Sequence, residues 1–229
     1  MDVQRDASGI GALADPVRRR LYEFVCGQRD PVSREQAADA VGIPHHQAKF
    51  HLDRLTAAGL LETDYGRLTG RTGPGAGRTA KLYRRSPRDI SVSLPQREYE
   101  LAGRLMAAAI TRSTASGQPV AEVLSEVAHD YGRSIAATAV APADRAAALD
   151  LAVHLLAKYG YEPRRDDGEV QLANCPFHAL AQEQTELACS MNHALITGVA
   201  DALAPYGPEA QLRPGPDRCC VVLSRHTTA

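Results

Sequence analysis

The sequence predicts an α+β protein in two parts: a helical N-terminal third closed by a β-hairpin, then helices leading into a small C-terminal α+β domain. Three observations carry this. Helix-spaced apolar residues with cap signals fill residues 12–59, two short β-prone segments flank a Gly/Arg-rich stretch at 60–84, and from Tyr161 short strands and turns alternate with helices. A length of 229 residues fits one to two domains. The expected division is residues 1–90, linking or dimerising helices at 91–141, and a cysteine-bearing sensor domain at 142–229.

The first helix is read from Ala12-Leu-Ala-Asp-Pro-Val to Gly27. Asp15 and Pro16 make an N-cap and first-turn pair, Val17, Leu21, Phe24 and Val25 share a face, and Gly27 is a stop. Cys26 at its end reads as a small core residue. Ser33 with Gln36 three residues later is a capping box opening a short helix that buries Ala37, Ala38 and Val41 and stops at Gly42. Gly42-Ile43-Pro44 is a tight turn into a third helix, to Ala58, whose buried face is Ala48, Leu52 and Leu55, with Gly59 closing its end. Two short helices joined by a Gly-containing turn are what a helix-turn-helix requires. The polar face of the third helix, with His45, His46, Gln47, Lys49 and Arg54, suits base edges in the major groove of double-stranded DNA. His51, nearer the packed face, reads as a structural partner.

Leu60 to Thr63 and Ala80 to Arg84 are expected strands, and the stretch between them is a hairpin tip carrying Arg67, Arg71 and Arg78. Those arginines and Lys81 are candidate phosphate or minor-groove contacts. Charge supports this: residues 1–90 hold 15 Lys+Arg against 11 Asp+Glu, residues 91–229 hold 11 against 16, and Tyr65 to Arg88 holds seven basic residues and no acidic one. With ALADPVRRRLYEFV, VGIPHHQAKFHLDRLTAAGLLE and GRTAKLYRR in place, the first part resembles winged-helix repressors of the ArsR and DeoR kinds. The resemblance implies a homodimer reading two half-sites about one helical turn apart.

Beyond Ser86-Pro87-Arg88, helices are expected from Gln96 to about Thr114, from Pro119 with Val120, Val123, Leu124, Val127 and Tyr131 on one face, and from Pro142 to about Tyr159 through Leu149, Val153 and Leu156. These stripes suit pairing between protomers or packing within one chain. Asp166-Asp167-Gly168 marks a hairpin between strands at 162–165 and 169–173. Helices at 179–186 and 189–203 and strands at 210–213 and 219–223 complete the expectation.

Five cysteines, no apolar run near the roughly 18 to 20 residues a spanning helix needs, and no secretory h-region at the N-terminus point to a reducing, cytoplasmic setting with no membrane. Cys175, Cys189, Cys219 and Cys220 fall at strand ends and a helix start, where backbone N–H groups favour thiolate. Cys219 and Cys220 are expected to begin the last strand and face opposite ways, so one of them joins Cys175 and Cys189. His178 and His193 are candidates for a fourth ligand, and an open position is the alternative.

The Asn-Cys-Pro-Phe start, the 13-residue gap to Cys189 and the terminal Pro-Asp-Arg-Cys-Cys resemble SufR-type iron–sulfur repressors, with the Cys-Pro-Phe-His run and doubled cysteine marking a sister subgroup. That resemblance implies an oxygen-sensitive [4Fe-4S] cluster and a repressor, the leading reading of the chain. A zinc site on Cys175, His178, Cys189 and one terminal cysteine, or an apolar ligand with the thiols merely buried, are the other regulator readings. An enzyme is not expected. A thiol hydrolase using Cys175 with His178 or His193 lacks an orienting acid and an oxyanion motif, and there is no G-x-S-x-G, Walker loop or dinucleotide fingerprint.

Overall fold

The computed structural model describes residues 3–66, 79–166, 168–215 and 218–225. The chain divides into two compact units, Met1–Val92 and Ser93–Ala229, each with its own apolar core.

The first unit runs α1 (Val3–Ala12), α2 (Pro16–Cys26), β1 (Val32–Ser33), α3 (Arg34–Val41), α4 (His45–Ala57), β2 (Leu61–Gly66) and β3 (Ala80–Arg85). The expected caps are in place. Asp15 accepts from Val17 and Arg18 N–H, and the Ser33 and Gln36 side chains bond each other's backbone N–H groups. Gly42 closes α3 in the left-handed region at φ 73°, which favours glycine and turns the chain into α4. Leu21 and Val25 of α2, Ala37 and Ala38 of α3, and Ala48, Leu52 and Leu55 of α4 meet in one buried cluster with Tyr83 of β3. Val17 and Phe24, expected on the packed face of α2, are half-buried at its margin.

Two elements were not expected. The two-residue β1 adds a third strand to the hairpin, giving the antiparallel order β1-β3-β2 with Val32 opposite Tyr83. Helix α1 is held by contacts distant in sequence: buried Asp6 pairs with Arg88, and Gly9 lies against Ile90.

The second unit runs α5 (Tyr99–Ser116), α6 (Val120–Ala136), α7 (Arg145–Ala157), β4 (Pro163–Asp166), β5 (Glu169–Leu172), α8 (His178–Glu183), α9 (Thr185–Asp201), β6 (Glu209–Leu212) and β7 (Val221–Ser224). Its antiparallel sheet has the order β4-β5-β7-β6. Val170 and Leu172 alternate inward on β5, whereas Val221, Val222 and Leu223 of the inner strand β7 are all buried. Helix α9 packs on this sheet and against α6, and α5, α6 and α7 share its core. Val120, placed by periodicity on the packed face of α6, is exposed at its first residue.

The α6–α9 crossing depends on two glycines. A Cβ at Gly132 would overlap the Leu195 carbonyl oxygen, and a Cβ at Gly198 the His129 carbonyl oxygen. The backbones therefore approach more closely than alanine at either position allows. This fixes α9, which carries Cys189, relative to α6. Among the described residues no helix is long and apolar enough to cross a membrane.

Candidate functional site: an exposed helix face and a cysteine cluster

Helix α4 buries Ala48, Leu52 and Leu55, so its other side must be solvated. His45, His46, Gln47, Lys49 and Arg54 are all exposed there, as a base-reading helix requires. His45 Nε2 is 3.2 Å from Asp39 Oδ1, which ties the start of α4 to α3. His51 is half-buried between the faces, in edge contact with Phe50, and its Nδ1 lacks a hydrogen-bond partner. Arg67, Arg71 and Arg78 lie outside the described residues.

The structure joins Lys49 and Lys81 in a way periodicity does not reveal. Asp53, one turn after Lys49, accepts from Lys49 Nζ at 2.9 Å and from Lys81 Nζ at 2.8 Å, and Tyr83 OH donates to it at 3.3 Å. Partial burial works against ionisation of Asp53, but the hydrogen bonds from Lys81 and Lys49 outweigh it and hold the carboxyl below its usual value. The bond to Asp53 likewise raises Lys81. One carboxylate thus clamps α4 to β3, and two candidate DNA contacts, one on each element, share a single counter-charge.

Phe50 is a second residue missed from sequence. Its ring is 55% exposed, and the Arg54 guanidinium lies 5.6 Å from its centroid. Gln47, Phe50 and Arg54, at i, i+3 and i+7, lie along one face of α4. The residue-type signal was present: a Phe outside the 48/52/55 stripe is an apolar side chain with no place in the core.

In the second unit, Cys175 sits in the loop after β5. Arg97 Nη1 donates to Asn174 Oδ1 and to the Cys175 carbonyl, both at 2.6 Å, while Asn174 Nδ2 donates to the carbonyls of Gly160 (2.6 Å) and Gln96 (3.1 Å). Phe177, 1% exposed, anchors the same loop in the core. Cys189 is the fifth residue of α9. Cys219 N–H donates to Leu172 O at 2.7 Å, docking the segment before β7 against the end of β5.

Strand alternation does not separate Cys219 and Cys220, because both precede β7, which begins at Val221. Both are buried, and the Asn192 amide reaches both, 3.0 Å from Cys219 Sγ and 3.7 Å from Cys220 Sγ. The four thiols form a chain of side-chain contacts, Cys175 to Cys219 to Cys220 to Cys189. Its contacts with Cys175 and Cys220, together with burial, push the Cys219 thiol up. The bond from Cys219 lowers Cys175 despite burial, helped by the Phe177 backbone N–H and the charge of Arg97. Bonds from Cys219, Cys189 and Asn192 bring Cys220 down to about 6. Cys189, expected to gain thiolate character from its helix start, is instead pushed up to about 12 by burial and by donating to Cys220. Two cysteines held toward thiolate thus alternate with two held as neutral thiols.

The histidines lie elsewhere. His178 opens α8 with its side chain exposed, meeting Cys175 through its backbone N–H at 3.1 Å, and His193 Nε2 is 3.0 Å from the Ala210 carbonyl. As they stand, no three His, Cys, Asp or Glu side chains among the described residues are arranged to hold a metal ion. The donor chemistry nevertheless fits a thiophilic centre: four contiguous sulfurs, two held toward thiolate, with Cys175 and Cys189 half-buried toward solvent.

With this geometry in place, comparison with known families is decisive for one segment: a family model described as "Helix-turn-helix domain" matches residues 13–64. Residues 13–64 are a helix-turn-helix domain. The match covers α2 through most of β2, and α4 is its third helix, the second of the α3–α4 pair. No curated protein and no solved structure gives a significant match to the chain. The domain points to a DNA-binding transcriptional regulator, a class that is usually not enzymatic.

Proposed function

We propose that the protein is a dimeric transcription regulator, most simply a repressor of the SufR-like kind, whose affinity for DNA is set by an iron–sulfur cluster held on Cys175, Cys189, Cys219 and Cys220. The observation that supports this reading is the unbroken chain of four thiols within the core of the second unit. When bound, such a cluster would supply sensitivity to oxidants, which a helix-turn-helix alone lacks.

The chain's own residues supply the rest. Gln47 and Arg54 are the base-edge readers on α4, with Phe50 beside them for apolar contact, and His45 and His46 lie at the end that enters the groove first. Lys49 and Lys81 are phosphate contacts tempered by Asp53. Arg97 and Asn174 hold the Cys175 loop, and the charge of Arg97 favours a thiolate there. Regulation then requires that the thiol site bind its metal differently in the DNA-bound and free states, because the coupling is reciprocal.

A second reading, zinc, is favoured by the direct contacts among the sulfurs, which suit a closed site of four cysteine thiolates. Anaerobic purification followed by absorbance and by iron, sulfide and zinc analysis separates the two. Brown protein with iron and sulfide supports the cluster, zinc alone selects the second reading, and protein free of both after reconstitution overturns a metal-sensing role.

A further inference from the structure

The core of the second unit contains a polar relay centred on Asn192. Asn192 lies one turn after Cys189 on α9 and is 1% exposed. Its Oδ1 accepts from Tyr161 OH, itself buried, and its Nδ2 donates to Cys219 Sγ at 3.0 Å and reaches Cys220 Sγ at 3.7 Å. A carboxamide in an apolar core is costly unless each end is bonded. Here its donor end is directed at sulfur, a weak acceptor while it carries a proton. The same N–H bond becomes a strong, charge-assisted one when the sulfur is anionic or metal-bound. With the phenol hydroxyl donating to the carbonyl end, the NH2 end is kept facing the cysteines.

We propose that Asn192, oriented by Tyr161, is a positioning residue for the thiol site: its amide N–H aims Cys219 and Cys220 at a shared metal and donates to their sulfurs once the metal is bound. The proposal rests on the reading that these cysteines hold a metal. It does not depend on which metal, because thiolate ligands in general are tuned by such outer hydrogen bonds.

The test is anaerobic titration of reduced, metal-free full-length protein with cobalt(II), following the thiolate-to-cobalt charge-transfer band and competing with a chromophoric chelator. Wild type is compared with Asn192→Leu, which fills the site without a donor, and with Tyr161→Phe, which removes one hydroxyl. Loss of outer contacts of this sort weakens metal affinity by about 10- to 100-fold. Asn192→Leu should therefore lose affinity in that range. Its band should also move to lower energy, because thiolate lone pairs without the N–H bond are easier to ionise into the metal. A purely structural loss of packing would lower affinity without moving the band. Tyr161→Phe should shift the band in the same direction by less. Should Asn192→Leu fail to fold, Tyr161→Phe decides. Folded variants with wild-type affinity and an unshifted band overturn the role of Asn192 and leave the metal reading standing. Absence of any thiolate band in wild type overturns both.

Discussion

Replacing Asp53 with Asn removes the one negative charge shared by Lys49 and Lys81, which lie 2.9 and 2.8 Å from its two oxygens. In the wild type this trio presents one net positive charge to a duplex, and in Asp53→Asn it presents two. Each additional phosphate neutralised steepens the fall of log K with log salt by about 0.9. Between about 50 and about 200 mM salt the variant should therefore lose roughly 3.5-fold more affinity than wild type does. A second effect opposes the gain at low salt: the clamp between α4 and β3 is lost, and partly exposed ion pairs of this kind are worth about 0.2–1 kcal/mol each. Because these contacts are far shorter than the Debye length of about 10 Å at 0.1 M, salt alters that loss only weakly. The slope, not the affinity, is thus the diagnostic quantity. Fluorescence anisotropy with a labelled duplex of arbitrary sequence suffices. A slope unchanged or shallower in Asp53→Asn would refute the placement of Lys49 and Lys81 against phosphate.

Three further outcomes are expected. Gly198→Ala gains about 1 kcal/mol of helix propensity but forces a methyl onto the His129 carbonyl oxygen, an overpacking cost of about 1–3 kcal/mol or more against rigid backbone; thermal melts should show a lower Tm, and a raised one contradicts the α6–α9 geometry. Phe50→Ala, altering a ring 55% exposed, should leave stability within about 0.5 kcal/mol while weakening specific DNA binding in a mobility shift on the protein's own upstream DNA; unchanged binding removes Phe50 from the interface. The carboxyl of Asp53 is depressed from 3.8, so its stabilising pairs are fully present above that value and lost as pH falls through the lower folded one. The stability gap between wild type and Asp53→Asn should accordingly close in acid, and a gap persisting in a pH series of melts would show that the ion pairs are not its source.

The first unit was largely legible because its signals are local. The Asp15 and Ser33 caps, the turn at Gly42 and the 48/52/55 stripe each involve residues within a few positions of one another, and each appears as expected. What was missed there is non-local: α1 relies on Asp6 reaching Arg88, 82 residues on, and the clamp joins Asp53 to Lys81 across 28 residues. The cysteine region shows the same division. Clustering of thiols in sequence drew attention to Cys175, Cys189, Cys219 and Cys220, which the fold brings near one another. The geometry of the last two did not follow, because the two-residue alternation used to separate them holds only inside a strand, and β7 starts one residue later. Nor could spacing single out Asn192, whose partners lie 31 residues before it and 27 and 28 after it.

The central claim is that metal occupancy of the buried thiols sets the affinity of the helix-turn-helix domain for DNA. Its most direct test is the dissociation constant of one anaerobic preparation on the protein's own upstream duplex, measured before and after metal is stripped by a chelator under reducing conditions. Coupling between two sites typically amounts to about 5- to 150-fold in affinity, and a change in that range, reversed when metal is restored, is the expected result. Equal affinity in the metal-loaded and metal-free states would contradict the account.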